Sequence, residues 1–309
     1  MTQTVRGILA MISACVVWGL SSIFYKLLSD VPPLTILAHR TLWSAVFFAL
    51  VLSVQGRFAQ LPAALGNRRT LLVIAGASLT ISLNWFFFIY SVNTGHATQA
   101  SLGYYIFPLV AVLLGRIFFA ESLNRWQMVA VALAAGAVSL LTWGLGVAPW
   151  ISLILAFSFG FYGVLKKLLS IGPVVSVTAE VVLLIPISLT VLWIGGTHMD
   201  SPYQTALLLF SGPLTGFPLI LFSYASRRIP MATVGILQYL NPTLQFLVAV
   251  LLFKEPFGIW YAIAFGMIWT ALAIYSTAGA RAASRRRKTA SSTVSTTVTN
   301  SSIDAPAKP

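Results

Sequence analysis

Ten stretches of predominantly apolar residues follow one another along this chain, most of them separated by only a few residues. A helix of about 20 apolar residues crosses the roughly 30 Å hydrocarbon core of a bilayer. Inside that core the backbone must satisfy its own hydrogen bonds, which leaves the helix as the natural form for such runs. The stretches cover residues 7–28, 34–54, 71–92, 97–119 and 126–145, then 150–169, 175–193, 206–226, 233–253 and 258–277. Turn residues punctuate them: Pro32-Pro33, Asn93-Thr94-Gly95, Gly172-Pro173 and Pro256. Connections this short force successive helices to be antiparallel and leave no room for an extramembrane catalytic domain. The chain has 309 residues, of which 58% are hydrophobic and only 8% charged. Soluble domains are about a quarter charged, so these few charges would not cover a water-soluble globule. The expected fold class is an all-α integral membrane protein.

The distribution of charge sets an orientation. All of the 19 Lys and Arg except Lys26, Arg40 and Lys254 fall on one side of the proposed bundle. By the positive-inside rule that side is cytoplasmic, and it holds both termini, as an even number of crossings also requires. A nucleic-acid partner would need a basic face on a soluble fold, and none is present. From Arg281 the chain changes to the basic run Arg285-Arg286-Arg287-Lys288 and a Ser/Thr-rich end, expected to be a disordered cytoplasmic tail over 281–309 lying against anionic headgroups. Cys15 is the only cysteine and sits in an apolar stretch, so no intrachain disulfide and no cysteine-rich metal site is expected. The first stretch is longer than a signal-peptide core, lacks a cleavage site before Lys26, and reads as an uncleaved helix.

The sequence also repeats itself. Shifted by 141 residues, Gly19 falls on Gly160, Lys26-Leu27-Leu28-Ser29 on Lys167-Leu168-Leu169-Ser170, and Pro32 on Pro173. Shifted by 134, Pro108 falls on Pro242, Glu121 on Glu255 and Trp126 on Trp260. Each unit contains five stretches, so the second copy enters the membrane upside down. The expected organisation is a first five-helix repeat over 1–145 and an inverted second repeat over 146–280. Inverted repeats are a recurring plan of secondary transporters, whose substrate site lies near the midplane between the halves.

Polar side chains at membrane depth cost a few kcal/mol and need a partner or a purpose. His39 falls on Glu180 at the first shift, which places an ionisable residue at matching points of the two repeats. Glu180, His39 and Arg40 are the candidate coupling residues. A structural ion pair for Glu180, and snorkelling of His39 and Arg40 to the outer interface, are the competing readings. Asn84-Trp85 and Tyr104-Tyr105 supply hydrogen bonds and flat faces together, as do Gln238, Tyr239 and Asn241 beside Pro242. Pro108 and Pro242 each free a carbonyl within a helix, which a solute, a water or a neighbour must satisfy. These clusters suit a semi-polar aromatic or amino-acid-like solute; helix packing is the plainer alternative. Trp126, Trp143, Trp150, Trp193 and Trp260 lie near helix ends and read as interface anchors. Glu121 and Glu255 read as boundary residues.

These residues resemble the RarD family of chloramphenicol-sensitivity permeases, within the EamA-type drug/metabolite transporters, over residues 5–278. The similarity lies in Trp18-Gly19 with Tyr25-Lys26-Leu27, His39-Arg40 with Trp43-Ser44, Asn84-Trp85, and the run from Ala100 to Tyr104. It continues in Ala156-Phe157-Ser158-Phe159 with Phe161-Tyr162-Gly163, and in Gln238-Tyr239 with Pro242-Thr243. The chain departs from the family at Phe107, where Asn often precedes the proline; the second repeat keeps Asn241 at the equivalent place. The resemblance implies ten helices, a cytoplasmic-membrane location and export of a solute.

The combined expectation is a secondary active exporter of small metabolites or drugs, proton-coupled and working by alternating access. Trp18 and Tyr162 join the clusters above as candidate cavity residues. No phosphate-binding glycine loop is present, so no nucleotide or other cofactor is expected. The partners are a small solute and membrane lipids, with the chain a monomer or homodimer. An intramembrane enzyme would need a nucleophile and base, paired carboxylates or a metal cluster, and the scattered His39, His96 and His198 do not form one. A lipid scramblase or flippase, and a non-transporting scaffold or sensor, stand as the alternatives.

Overall fold

The computed structural model describes residues 2–120, 123–146, 148–226, 228–229 and 231–277. Glu121, Arg227 and the tail from Arg281 lie outside the described residues. The helices are α1 Gln3–Lys26, α2 Pro33–Val54, α3 Gln60–Gly66, α4 Arg68–Asn93, α5 Ala97–Phe119 and α6 Arg125–Leu145. They continue as α7 Trp150–Lys167, α8 Pro173–Gly195, α9 Pro202–Ser226, α10 Met231–Gln238, α11 Leu240–Leu247 and α12 Ile259–Thr277. Among the described residues nine helices are long and apolar enough to cross a membrane, and Leu240–Leu252 is a shorter apolar one. The fold is all-α.

The helix ends follow local chemistry. Asn67 caps α4 by accepting from Thr70 N at 3.0 Å. Asn124 and Gln127 form a reciprocal capping box at the start of α6, with bonds of 2.9 and 3.0 Å. Pro33 and Pro173 open α2 and α8, where a missing N–H costs nothing. Gly146 ends α6 with φ 67°, the left-handed cap that glycine adopts freely.

Two features depart from the pattern read off the sequence. The short helix α3 lies between the second and third apolar stretches, a segment read there as a connection. The stretch 233–253 is not one helix: it breaks at Tyr239, resumes as α11 and ends in a π turn, Val248–Leu252. Pro242 is the physical reason, because it has no N–H to donate back to the carbonyl of Gln238. Its repeat counterpart Pro108 sits inside an unbroken α5.

The packing follows the duplication. Taking α1, α2, α4 and α5 as counterparts of α7, α8, α9 and α10–α11, the contacts between halves exchange in pairs. α5 packs on α7 as α11 packs on α1, α1 on α9 as α7 on α4, and α2 on α9 as α8 on α4. The matched glycines explain two of these approaches. A Cβ at Gly19 would lie 2.6 Å from Leu244 Cβ, and one at Gly160 only 2.9 Å from Leu114 Cδ1. Helices α6 and α12 join α5 in one apolar cluster built from Ala130, Ala134, Ala137, Phe265 and Ile268.

Counting the nine long helices and the broken α10–α11 stretch as ten crossings puts the start of α1 and the end of α12 on the same side of the bundle, here the terminal side. The opposite, far side is closed by a buried apolar cluster that includes Leu28, Val31, Ile36, Ile89, Val92 and Leu208. Glu255 reinforces it. Its carboxylate accepts from the backbone N–H groups of Ala97 and Thr98, both at 2.7 Å, and so holds the N-terminus of α5 to the chain entering α12.

Candidate functional site

A cavity of about 870 Å³ lies between the two halves. Its far pole is formed by Tyr25, Arg40, Trp85 and Tyr104, from α1, α2, α4 and α5. Its other pole is formed by Lys166, Pro173, Tyr275 and Ser276, which lie at the terminal-side ends of α7, α8 and α12. Trp18, Pro108 and Tyr162 line the middle, together with Gln238, Tyr239, Asn241 and Pro242 around the break between α10 and α11.

The walls are mostly aromatic. Phe159 lies parallel to Tyr162 with ring centres 5.9 Å apart, and Phe107 packs on Phe159 at 4.6 Å. Tyr104 meets Phe159 edge-on at 6.2 Å, and Trp18 lies 6.2 Å from Phe222. Flat faces at these spacings suit a planar or apolar solute. Phe107 is part of this aromatic wall.

Several polar residues on the wall are already bonded within the protein. Asn84 donates to Leu155 O at 2.9 Å and to Ser158 Oγ at 3.1 Å, and accepts from the Tyr104 hydroxyl at 2.9 Å. It ties α4 to α7 and fixes the Tyr104 ring, so its amide is not open to a solute. Gln245 donates to Asn241 Oδ1 at 3.0 Å, while its own carbonyl oxygen is buried with no hydrogen-bond partner.

Two cations reach the cavity. Lys166 Nζ lies 2.6 Å from Glu180 Oε1 and also donates to Ser176 Oγ. Glu180 accepts further from Ser176 at 2.8 Å and from the Tyr162 hydroxyl at 3.0 Å. Arg40 is 7% exposed, and its guanidinium sits over the Trp85 ring at 4.3 Å and 5.5 Å from the Tyr25 ring. Arg40 does not snorkel to the interface. It lies on the eighth residue of α2, about 10 Å along the helix from its start, and faces the cavity.

Three residues singled out in the sequence stand off the wall. Tyr105 is buried among α5, α11 and α12, its hydroxyl 2.6 Å from Thr243 Oγ1 and its ring 5.7 Å from Phe265. One step along a helix turns a side chain by about 100°, so Tyr104 and Tyr105 cannot face the same space. His39 is 2% exposed and donates through Nε2 to Thr197 O at 2.8 Å, tethering the α8–α9 connection to α2 rather than reaching the interface. Glu180 is 1% exposed and lies behind Lys166 and Tyr162, which face the cavity in its place.

Sequence reasoning passed over Lys166 and Gln245, and named Phe159 only within a run that carries the resemblance. Lys166 was grouped with the loop charges because it ends its apolar run. Gln245 lies four residues after Asn241, on the same helical face, and that spacing was available as a signal. Phe159 is one phenylalanine among 20, and the run it belongs to does not say that its ring faces a cavity.

A model of the EamA-like transporter family matches residues 5–143 and again residues 147–277. The chain is 40% identical over 281 residues to the uncharacterized transporter YojE of Bacillus subtilis, covering 89% of this chain and 94% of that protein. It is 36% identical over 279 residues to Protein RarD of Escherichia coli, covering 88% and 94%. One crystal structure shares the fold with a TM-score of 0.60 at 16% identity, over 88% of this chain and 97% of the other.

Proposed function

The chain belongs to the EamA-like transporter family, with the RarD proteins, and is a multi-pass membrane transporter; we propose that it exports small organic solutes by alternating access. One observation carries this reading. A large aromatic cavity between two inverted halves reaches the helix ends on the terminal side, while an apolar cluster and the Glu255 cap close the far side. In a cytoplasmic membrane with the basic side inward, that cavity takes its solute from the cytoplasm. Exchange of the paired contacts between halves would close this side and open the other.

The coupling ion in this reading is the proton, with Glu180 as the group that takes it. Glu180 is buried against Lys166, and Lys166 faces the cavity. Protonation of the carboxylate removes the charge that holds Lys166, and loss of the proton restores it. Chemistry at Glu180 is thereby linked to the electrostatics of the wall.

The test is comparative mass spectrometry of medium and cytoplasm from cells expressing the wild-type or the Glu180→Gln chain at matched membrane levels. The expected result is one class of solute that moves to the medium with wild type and accumulates inside with the variant. Equal transport by the two chains would remove proton coupling through Glu180. No solute difference between wild-type cells and cells lacking the chain would overturn export itself.

A further inference from the structure

We infer that the far pole of the cavity is a binding subsite for an anionic group, so that the cargo is an organic anion with a flat apolar body and a carboxylate or similar oxyanion. The inference rests on the transport reading above and deepens it by naming a solute class. Arg40 carries it. The side chain is more than nine-tenths buried, lies on the cavity wall, and forms no ion pair among the described residues. Its Nε is buried without a hydrogen-bond partner. A guanidinium stays charged in any protein environment, so burial does not silence it.

The surroundings are built for that charge but do not cancel it. The Trp85 ring at 4.3 Å and the Tyr25 ring at 5.5 Å offer cation–π attraction, which stabilises the cation. Among the described residues the guanidinium forms no hydrogen bond, so the N–H fork is left for a ligand. Among the described residues lining the cavity none is Asp or Glu. The other cation on the wall, Lys166, is held by Glu180 at the opposite pole. The described cavity wall therefore carries a net positive charge, concentrated at Arg40. A planar guanidinium matches the two oxygens of a carboxylate, and the low exposure of Arg40 strengthens that pairing. The aromatic wall next to it, Tyr104 with Phe159 and Phe107, receives the apolar body.

A neutral solute would leave the buried guanidinium uncompensated, and a cationic one would meet repulsion. Discrimination thus comes from what the site refuses as much as from what it binds.

The experiment uses the purified full chain in detergent and two probes of the same shape, naphthalene-1-acetate and naphthalene-1-acetamide, with binding read by ligand-dependent thermal stabilisation. Wild type is expected to bind the acetate about tenfold or more tightly than the amide. That preference is expected to fall to near unity in Arg40→Gln and to persist in weakened form in Arg40→Lys, which keeps the charge and loses the fork. Equal or inverted preference in wild type, or failure of both probes to bind, would overturn the inference without any variant being needed. A preference unchanged in a folded Arg40→Gln protein would overturn the assignment to Arg40. Binding is read with no gradient and no second compartment, so it fails or succeeds independently of the export comparison. Anion binding by a chain that moves no solute would sink the transport reading alone.

Discussion

At the scale of single residues, the groups that matter are polar atoms within membrane-spanning helices, on or just behind the cavity wall. Glu180 receives Lys166, Ser176 and Tyr162, so its carboxylate sits in a complete set of donors. Removing one partner of such a pair leaves the other uncompensated, which is more damaging than removing both. Glu180→Gln is expected to lower stability by about 1–2 kcal/mol, less than for a fully buried pair because Lys166 borders the cavity. The double variant Glu180→Gln/Lys166→Met is expected to recover most of that loss. Thermal unfolding in detergent checks the order, and a double variant less stable than the single would show the pair to be unimportant. Glu180 stood out in the sequence as a carboxylate far inside an apolar run. Its partner did not, because Lys166 looked like one more basic residue at a helix end until the α7–α8 turn brought it back. Arg40 and His39 adjoin in sequence yet have separate fates, one on the cavity wall and one tied to Thr197 O.

At the scale of elements, helix packing in lipid depends on how closely backbones approach, since lipid tails offer no hydrophobic drive between helices. α9 meets the backbone of α2 at Gly212, where a Cβ would fall 2.3 Å from the Trp43 backbone carbon. Backbone cannot move aside as a flexible side chain can. Gly212→Ala is therefore expected to reduce folded yield and lower the unfolding temperature by several degrees. Gly163→Ala, with nothing within 4 Å, should leave both unchanged or slightly improved. Size-exclusion profiles and unfolding curves of the two variants side by side make the comparison, and equal behaviour would contradict the packing described. The shift that matched Gly19 to Gly160 was legible in the sequence, and both glycines proved to sit at close helix contacts. Gly212 had no such mark. Its partner on α2 lies far away along the chain, and only the fold joins them.

At the scale of the whole molecule, one side is open and the other closed, and the proposed orientation makes the open side cytoplasmic. With Cys15→Ala as a cysteine-free background, Ser276→Cys at the open pole and Ser29→Cys on the far side report on this directly. A membrane-impermeant maleimide should label Ser29→Cys in intact cells and Ser276→Cys in inverted membrane vesicles. The reverse pattern would overturn the orientation. Loss of Ser276→Cys labelling in a population driven to the opposite state would show this pole closing, as alternating access requires.

What the sequence determined by itself was the number and placement of apolar spans, the duplication and its inversion. Each of these is written locally, as a run of apolar residues long enough for a bilayer, as charge beside it, or as identities at a constant spacing. Which side chains meet was decided only by the tertiary structure. A helix apolar on every side has no polar stripe to mark its buried face. Side chains at successive positions diverge by about 100°, so the rotation of each helix about its own axis decides whether Tyr104 or Tyr105, and Arg40 or His39, faces the cavity. The packing of the two halves made that choice: it placed a lone guanidinium at one end of an aromatic cavity and a lysine–glutamate pair at the other.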